Sequence, residues 1–178
     1  TIVATKSTAV NYSIEIPKSW FNNNNNVLTV QVDTYDAYNT YIPGTYYHSI
    51  PLYNTTGRYE NRVSNFEYPS GVYAGGTCII NILPPKDRYG NSLSTNNLVY
   101  EVMINCFGEV ADNKIVANNV NAGRCSFVIP SKAGASCVAV YGTTIEKSSG
   151  DRLGTVVHSI PLGQGQVSKQ TLDKPQII

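Results

Sequence analysis

Apolar and polar residues alternate through the first stretch of the chain, with Ile2, Ala4, Thr8, Val10, Tyr12, Ile14 and Ile16 on one side of an extended segment. A period of two marks a strand with one covered face, because successive side chains point to opposite sides of the backbone. The same pattern, strongest where Leu28, Val30 and Val32 alternate, predicts further strands at 27–33, 45–53, 62–68, 77–83, 98–106, 124–130, 136–142 and 154–162. Turn-forming residues separate them: Pro43-Gly44, Pro69-Ser70-Gly71, Gly75-Gly76, Pro84-Pro85, Gly90-Asn91, Gly134 and Gly150-Asp151. No segment carries a 3.6-residue apolar stripe, so many short strands with punctuated turns predict an all-β fold, an Ig-like or related antiparallel β-sandwich.

A repeat is superimposed on that pattern. Gly44-Thr45-Tyr46-Tyr47-His48-Ser49-Ile50-Pro51-Leu52 returns as Gly154-Thr155-Val156-Val157-His158-Ser159-Ile160-Pro161-Leu162, identical at seven of nine positions. Carried backwards without a gap, the register aligns Val30 with Val140, Thr34 with Thr144 and Asp36 with Glu146. With a three-residue deletion it also sets Tyr12-Ser13-Ile14-Glu15-Ile16-Pro17 on Cys125-Ser126-Phe127-Val128-Ile129-Pro130. A three-strand unit is therefore expected twice. The expected organisation is a first β unit over 1–112 and a second, shorter one over 113–178 that packs against or completes the first, or else one compact domain of 178 residues. The Asn run at 22–26 reads as a solvated loop between strands.

Composition agrees with strands: thirteen Tyr and abundant Asn, Thr, Ser, Val and Ile stand against one Met. Charged residues make up 14% and the net charge is +1, which gives no basic field for nucleic acid or an anionic membrane. No run of 18 apolar residues predicts a membrane span, and Thr1 follows no signal-peptide pattern, so the chain is expected to be a mature or excised extracytoplasmic piece. Four cysteines without C-x-x-C or Cys/His spacing predict disulfides rather than a metal site, and with them an extracellular or cell-surface location reached through an oxidising compartment. Cys78 with Cys106 is the first expected pair and Cys125 with Cys137 the second, the latter closing a short loop for roughly 2–4 kcal/mol. Three connectivities stay open on sequence alone.

Catalytic chemistry finds little purchase. The two histidines, His48 and His158, occupy equivalent places in the repeat, which points to packing or hydrogen bonding. Ser49 and Ser159 sit next to them in extended segments and so face the other way, which excludes a nucleophile and base pair. No G-x-S-x-G, H-E-x-x-H or phosphate-binding Gly loop occurs. The expectation is no enzyme, no cofactor and no metal; the Asp33, Asp36 and Asn39 stretch reads as a loop with Asx turns rather than a calcium loop. Glu60, Glu67 and Glu101 are carboxylates, but nothing brings two of them to the roughly 5–10 Å of a glycosidase. Ligand-binding candidates are Trp20, Tyr59, Glu60, Asn61, Arg62, Tyr68 and Tyr73, since ring faces stack on sugar C–H surfaces while amide, carboxylate and guanidinium groups read hydroxyls, and since Tyr and Arg dominate protein hot spots.

The alternating segment from Ile2 to Ile16 and the strand entries Pro43-Gly44-Thr45-Tyr46 and Ser70-Gly71-Val72-Tyr73 resemble the subunits of bacterial surface fimbriae assembled by a chaperone and usher. That resemblance implies an Ig-like sandwich, export through a periplasm, association by β-strand addition, and a shaft or adhesive role. The function expected from the whole is an extracellular adhesin or fimbria-like structural subunit whose partners are other protein subunits or a surface receptor or glycan. The alternatives are a carbohydrate-binding module and a viral or phage attachment domain.

Overall fold

The structure is a computed structural model and describes residues 13–21, 25–53, 60–107, 113–131 and 136–163. After one short 3-10 turn, Lys18–Trp20, ten strands follow: β1 Val27–Tyr35, β2 Tyr41–Pro51, β3 Phe66–Glu67, β4 Val72–Tyr73, β5 Thr77–Ile82, β6 Leu98–Asn105, β7 Asn113–Val120, β8 Gly123–Val128, β9 Cys137–Glu146 and β10 Arg152–Gly163. They form three sheets, ordered β1-β2, β4-β10-β9-β6-β7 and β3-β5-β8. The fold is thus all-β, as the alternation requires.

The core lies between the five-stranded and three-stranded sheets. Alternation puts Cys78, Ile80 and Ile82 of β5 inward and leaves Ile79 exposed; Leu98, Tyr100, Val102 and Ile104 of β6 do the same on the other layer. Val138, Val140, Val156 and Ile160 close the core from β9 and β10. The phenol of Tyr100 inside it meets the Ser64 hydroxyl at 2.7 Å, and among the described residues no buried side-chain polar atom lacks a partner. The five-stranded sheet interleaves strands from both sides of residue 112, since β6 sits between β9 and β7.

β9 departs from simple alternation: Cys137, Val138, Ala139 and Val140 are all buried. A strand covered on both faces needs no polar side. Its even-numbered side chains enter the core, while β2 lies over the odd-numbered face. There Tyr47 packs against Tyr141, whose phenol is pushed up to about 12 chiefly by burial and also by Tyr47.

The duplication is a duplicated hairpin. In the first copy Val27 pairs with Pro51, Val30 with His48 and Val32 with Tyr46; in the second Cys137 pairs with Pro161, Val140 with His158 and Gly142 with Val156. Each of these pairs follows its counterpart by 110 residues on both strands, so sequence repeat and ladder register coincide. The expected third strand is not duplicated among the described residues. Cys125 to Val128 belong to β8, but residues 13–17 belong to no strand, and the segment 2–12 lies outside the described residues. β7 went unread in the sequence; it is rich in Asn and half-solvated at a sheet edge, where alternation carries little signal.

The disulfide expectation is corrected: Cys78, Cys106, Cys125 and Cys137 are buried free thiols. Register is one reason. Cys78 stands opposite Phe127, and Cys125 opposite Ile80, so the two are displaced by two residues along the β5–β8 ladder. Face is the other: Cys137 lies outside the core cluster that holds the remaining three, and its Sγ donates to Thr45 O at 3.5 Å. Burial raises all four thiols, Cys78 to about 11, which suppresses the reactive thiolate. A thiol-specific alkylating reagent should therefore label none of them until denaturant is added, and reductant should leave the thermal midpoint unchanged. A midpoint that drops by several degrees in reductant would reveal a bridge.

Candidate functional site

The two copies of the hairpin meet along β2 and β10, and the contact is reciprocal. Tyr47 N–H donates to Ser159 Oγ at 2.8 Å, and the equivalent Val157 N–H donates to Ser49 Oγ at 2.9 Å. Between them, His48 Nδ1 and His158 Nδ1 lie 3.1 Å apart. Each residue thus touches the counterpart of its own partner, the signature of a two-fold contact, here built inside one chain. The sequence dictates it locally, because the repeated His-Ser places an imidazole on one face and a hydroxyl on the other in both strands. Ser159 Oγ also donates to Thr45 O at 2.7 Å. Seryl oxygens stand where a continuous sheet would have backbone carbonyls.

His158 is fixed by its surroundings. Asn65 Oδ1 accepts from Phe66 N–H at 2.9 Å, so the His158 Nε2 that faces it at 2.7 Å carries a proton. Nδ1 is then the acceptor, turned toward His48 and toward Ser49 N–H at 3.5 Å. Tyr68 stacks on the His158 ring and Phe66 meets it edge-on. Burial, with His48 adding to it, pushes the His158 imidazole down to about 4.

The even-numbered faces of the two hairpins have different fates. In the second copy Val140, Val156 and Ile160 are fully buried, and Gly142 leaves room for the Phe66 ring, which would lie 3.0 Å from a Cβ there. In the first copy the corresponding Val30, Tyr46 and Ile50 are 41%, 38% and 44% exposed, and Val32 is 54% exposed. A row of β-branched and aromatic side chains, built to the same pattern as a core, thus faces solvent. The outer edge of β1 is also open among the described residues, whereas the matching edge of β9 pairs with β6. Apolar face and open edge together make the hairpin β1–β2 the candidate interaction surface.

The sequence-derived ligand residues do not gather into one pocket. Trp20 is exposed on the short 3-10 turn, Glu60 and Tyr73 are exposed, and Tyr59 lies outside the described residues. Asn61 is buried, its amide donating to Asn26 O and Leu52 O while its oxygen accepts from Val63 N–H. Arg62 pairs with Glu146 at 3.2 Å. Asn61 ties the stretch that follows the hairpin to the hairpin's base, Arg62 ties it to β9, and both are engaged by the fold. Tyr68 does reach the surface, as the outer member of the stack on His158. Asp36 caps its own loop, its Oδ1 accepting from Tyr38 N–H and Thr40 N–H, which is the expected Asx turn. Among the described residues no cluster of three or more His, Cys, Asp or Glu could hold a metal ion, and no helix is long and apolar enough to cross a membrane. The exposed hairpin was missed at the sequence level; the unequal fate of two like copies leaves no mark in the residues themselves. Comparison with family models, with curated proteins and with solved structures finds no match for this chain.

Proposed function

We propose that this protein is a structural subunit of an extracellular or cell-surface assembly, an Ig-like module that joins copies of itself through the hairpin β1–β2. The observation behind this reading is the exposed apolar face of that hairpin, unpartnered among the described residues, set against the buried face of its duplicate. A binding role by assembly also suits the near-neutral charge, which provides no electrostatic steering toward a polyanion. The fimbria-like resemblance belongs to the same reading, with adhesion to a receptor or glycan as a further role of the assembled form. Light scattering after size exclusion over a wide concentration range tests it. The wild type should form concentration-dependent oligomers, and Val30→Asp with Val32→Asp should return it to a monomer with unchanged circular dichroism. A wild type that stays monomeric at the highest concentration overturns the proposal.

A further inference from the structure

The chain holds a template for what the open edge of β1 receives. In the duplicate, β6 runs antiparallel to β9, with Met103 opposite Tyr141, Val102 opposite Gly142 and Ile104 opposite Val140. Moved back by the 110 residues of the repeat, those places face Gln31, Val32 and Val30 of β1. The strand that fits there is antiparallel, extended, and apolar at two positions flanking the residue opposite Gln31. β1 itself meets this description, with Val30 and Val32 on either side of Gln31.

We infer that two copies of this chain pair edge to edge through β1, antiparallel, with a two-fold axis at Gln31, giving a four-stranded sheet β2-β1-β1-β2. This rests on the assembly reading above and names its first contact. Backbone direction supports the register. Tyr47 and Ser49 turn their N–H groups toward β10, so their ladder partners Gln31 and Thr29 turn theirs away from β2, into the open edge. Odd-numbered residues must then pair with odd-numbered ones, so the axis passes through a residue rather than between two. Centred on Gln31, the pairing sets Asp33 against the other copy's Thr29 and Val30 against its Val32. Centred on Asp33, it would set two carboxylates face to face, which is destabilising. A two-fold contact of this kind closes on itself and leaves both edges filled. It also merges two exposed apolar faces, those of Val30, Val32, Tyr46 and Ile50, into one continuous surface for the next contact.

The test uses the full chain with single added cysteines, the native thiols being buried. Across the axis two residues at position 31 have Cα atoms about 5.5 Å apart, within disulfide reach. Residues at position 33 would be roughly 13 Å apart, four residues along the ladder. Under mild oxidation Gln31→Cys should give a covalent dimer at least tenfold faster than Asp33→Cys. Gln31→Pro, which removes an outward N–H without touching the β1–β2 ladder, should weaken dimerisation at least tenfold while circular dichroism stays unchanged. Faster crosslinking through Asp33→Cys overturns the register. If neither cysteine crosslinks while Val30→Asp with Val32→Asp still dissociates the oligomers, the edge pairing falls and assembly through the face stands. A monomeric wild type removes both.

Discussion

Ser159→Ala lowers the stability of the fold by about 2–4 kcal/mol, measured by urea unfolding at pH 8, although it removes one oxygen atom. That hydroxyl is buried, accepts from Tyr47 N–H and donates to Thr45 O, and its loss strands the Tyr47 N–H and leaves Thr45 O with only the weak thiol donor of Cys137. Ser49→Ala removes the matching acceptor of Val157 N–H and the contact with Thr29 Oγ1 at 2.9 Å, so its cost is of the same order, about 1–3 kcal/mol. Because the two hydroxyls clamp the same pair of strands, the double substitution should depart from the sum of the singles by more than about 0.5 kcal/mol. Losses below about 0.5 kcal/mol for each single change would mean that water replaces the hydroxyls, and that the reciprocal contact carries little of the docking of hairpin β1–β2.

Acidification should destabilise the protein by about 3 kcal/mol between pH 6.5 and pH 4 through His158 alone. The ring is buried and sits at about 4 in the folded protein, below the 6.5 of an unburied histidine. Below pH 6.5 the unfolded chain takes up a proton that the folded chain refuses. Stability from this group is therefore complete above pH 6.5, declines as pH falls, and levels off once pH passes about 4. The ring contacts Asn65, Phe66 and Tyr68 on one side and His48 on the other, and no carboxylate is among them to hold the charge. Urea midpoints at pH 8, 6 and 5 for the wild type and for His158→Asn measure the effect. The variant should be less stable at pH 8, with a clearly shallower pH slope. An unchanged slope would assign the acid sensitivity elsewhere.

Both effects come from one feature, a two-fold contact made between parts of a single chain. The repeated His-Ser was plain in the sequence, and so was the placing of imidazole and hydroxyl on opposite faces, since successive side chains alternate along a strand. What the repeat could not disclose was that the two motifs would meet each other. That depends on the tertiary packing, in which β4 covers only Leu162 and Gly163 of β10 and leaves the rest of that side beside β2.

The sequence by itself determined the strand class, nearly all of the longer strands, and the repeat on which two hairpins are built. Side-chain alternation and backbone pairing share a period of two, so a pattern of covered faces is also a pattern of ladders. It determined the absence of familiar catalytic motifs in the same way, by residue type and spacing. The cysteines show where that reasoning ends. All four are buried, but a bridge needs two sulfurs on one face at one level, and only the packing of β5, β8 and β9 sets those levels. Asn61 and Arg62 are a second case, since their chemistry suits a ligand as well as it suits the fold, and the tertiary contacts with Asn26, Leu52 and Glu146 took them for the fold. The exposed face of β1–β2 is the third. Val30 and Val140 occupy like places in like hairpins, and only the tertiary structure, by placing β3, β5 and β6 around one hairpin and none of them around the other, decided which face became core and which was left for a partner.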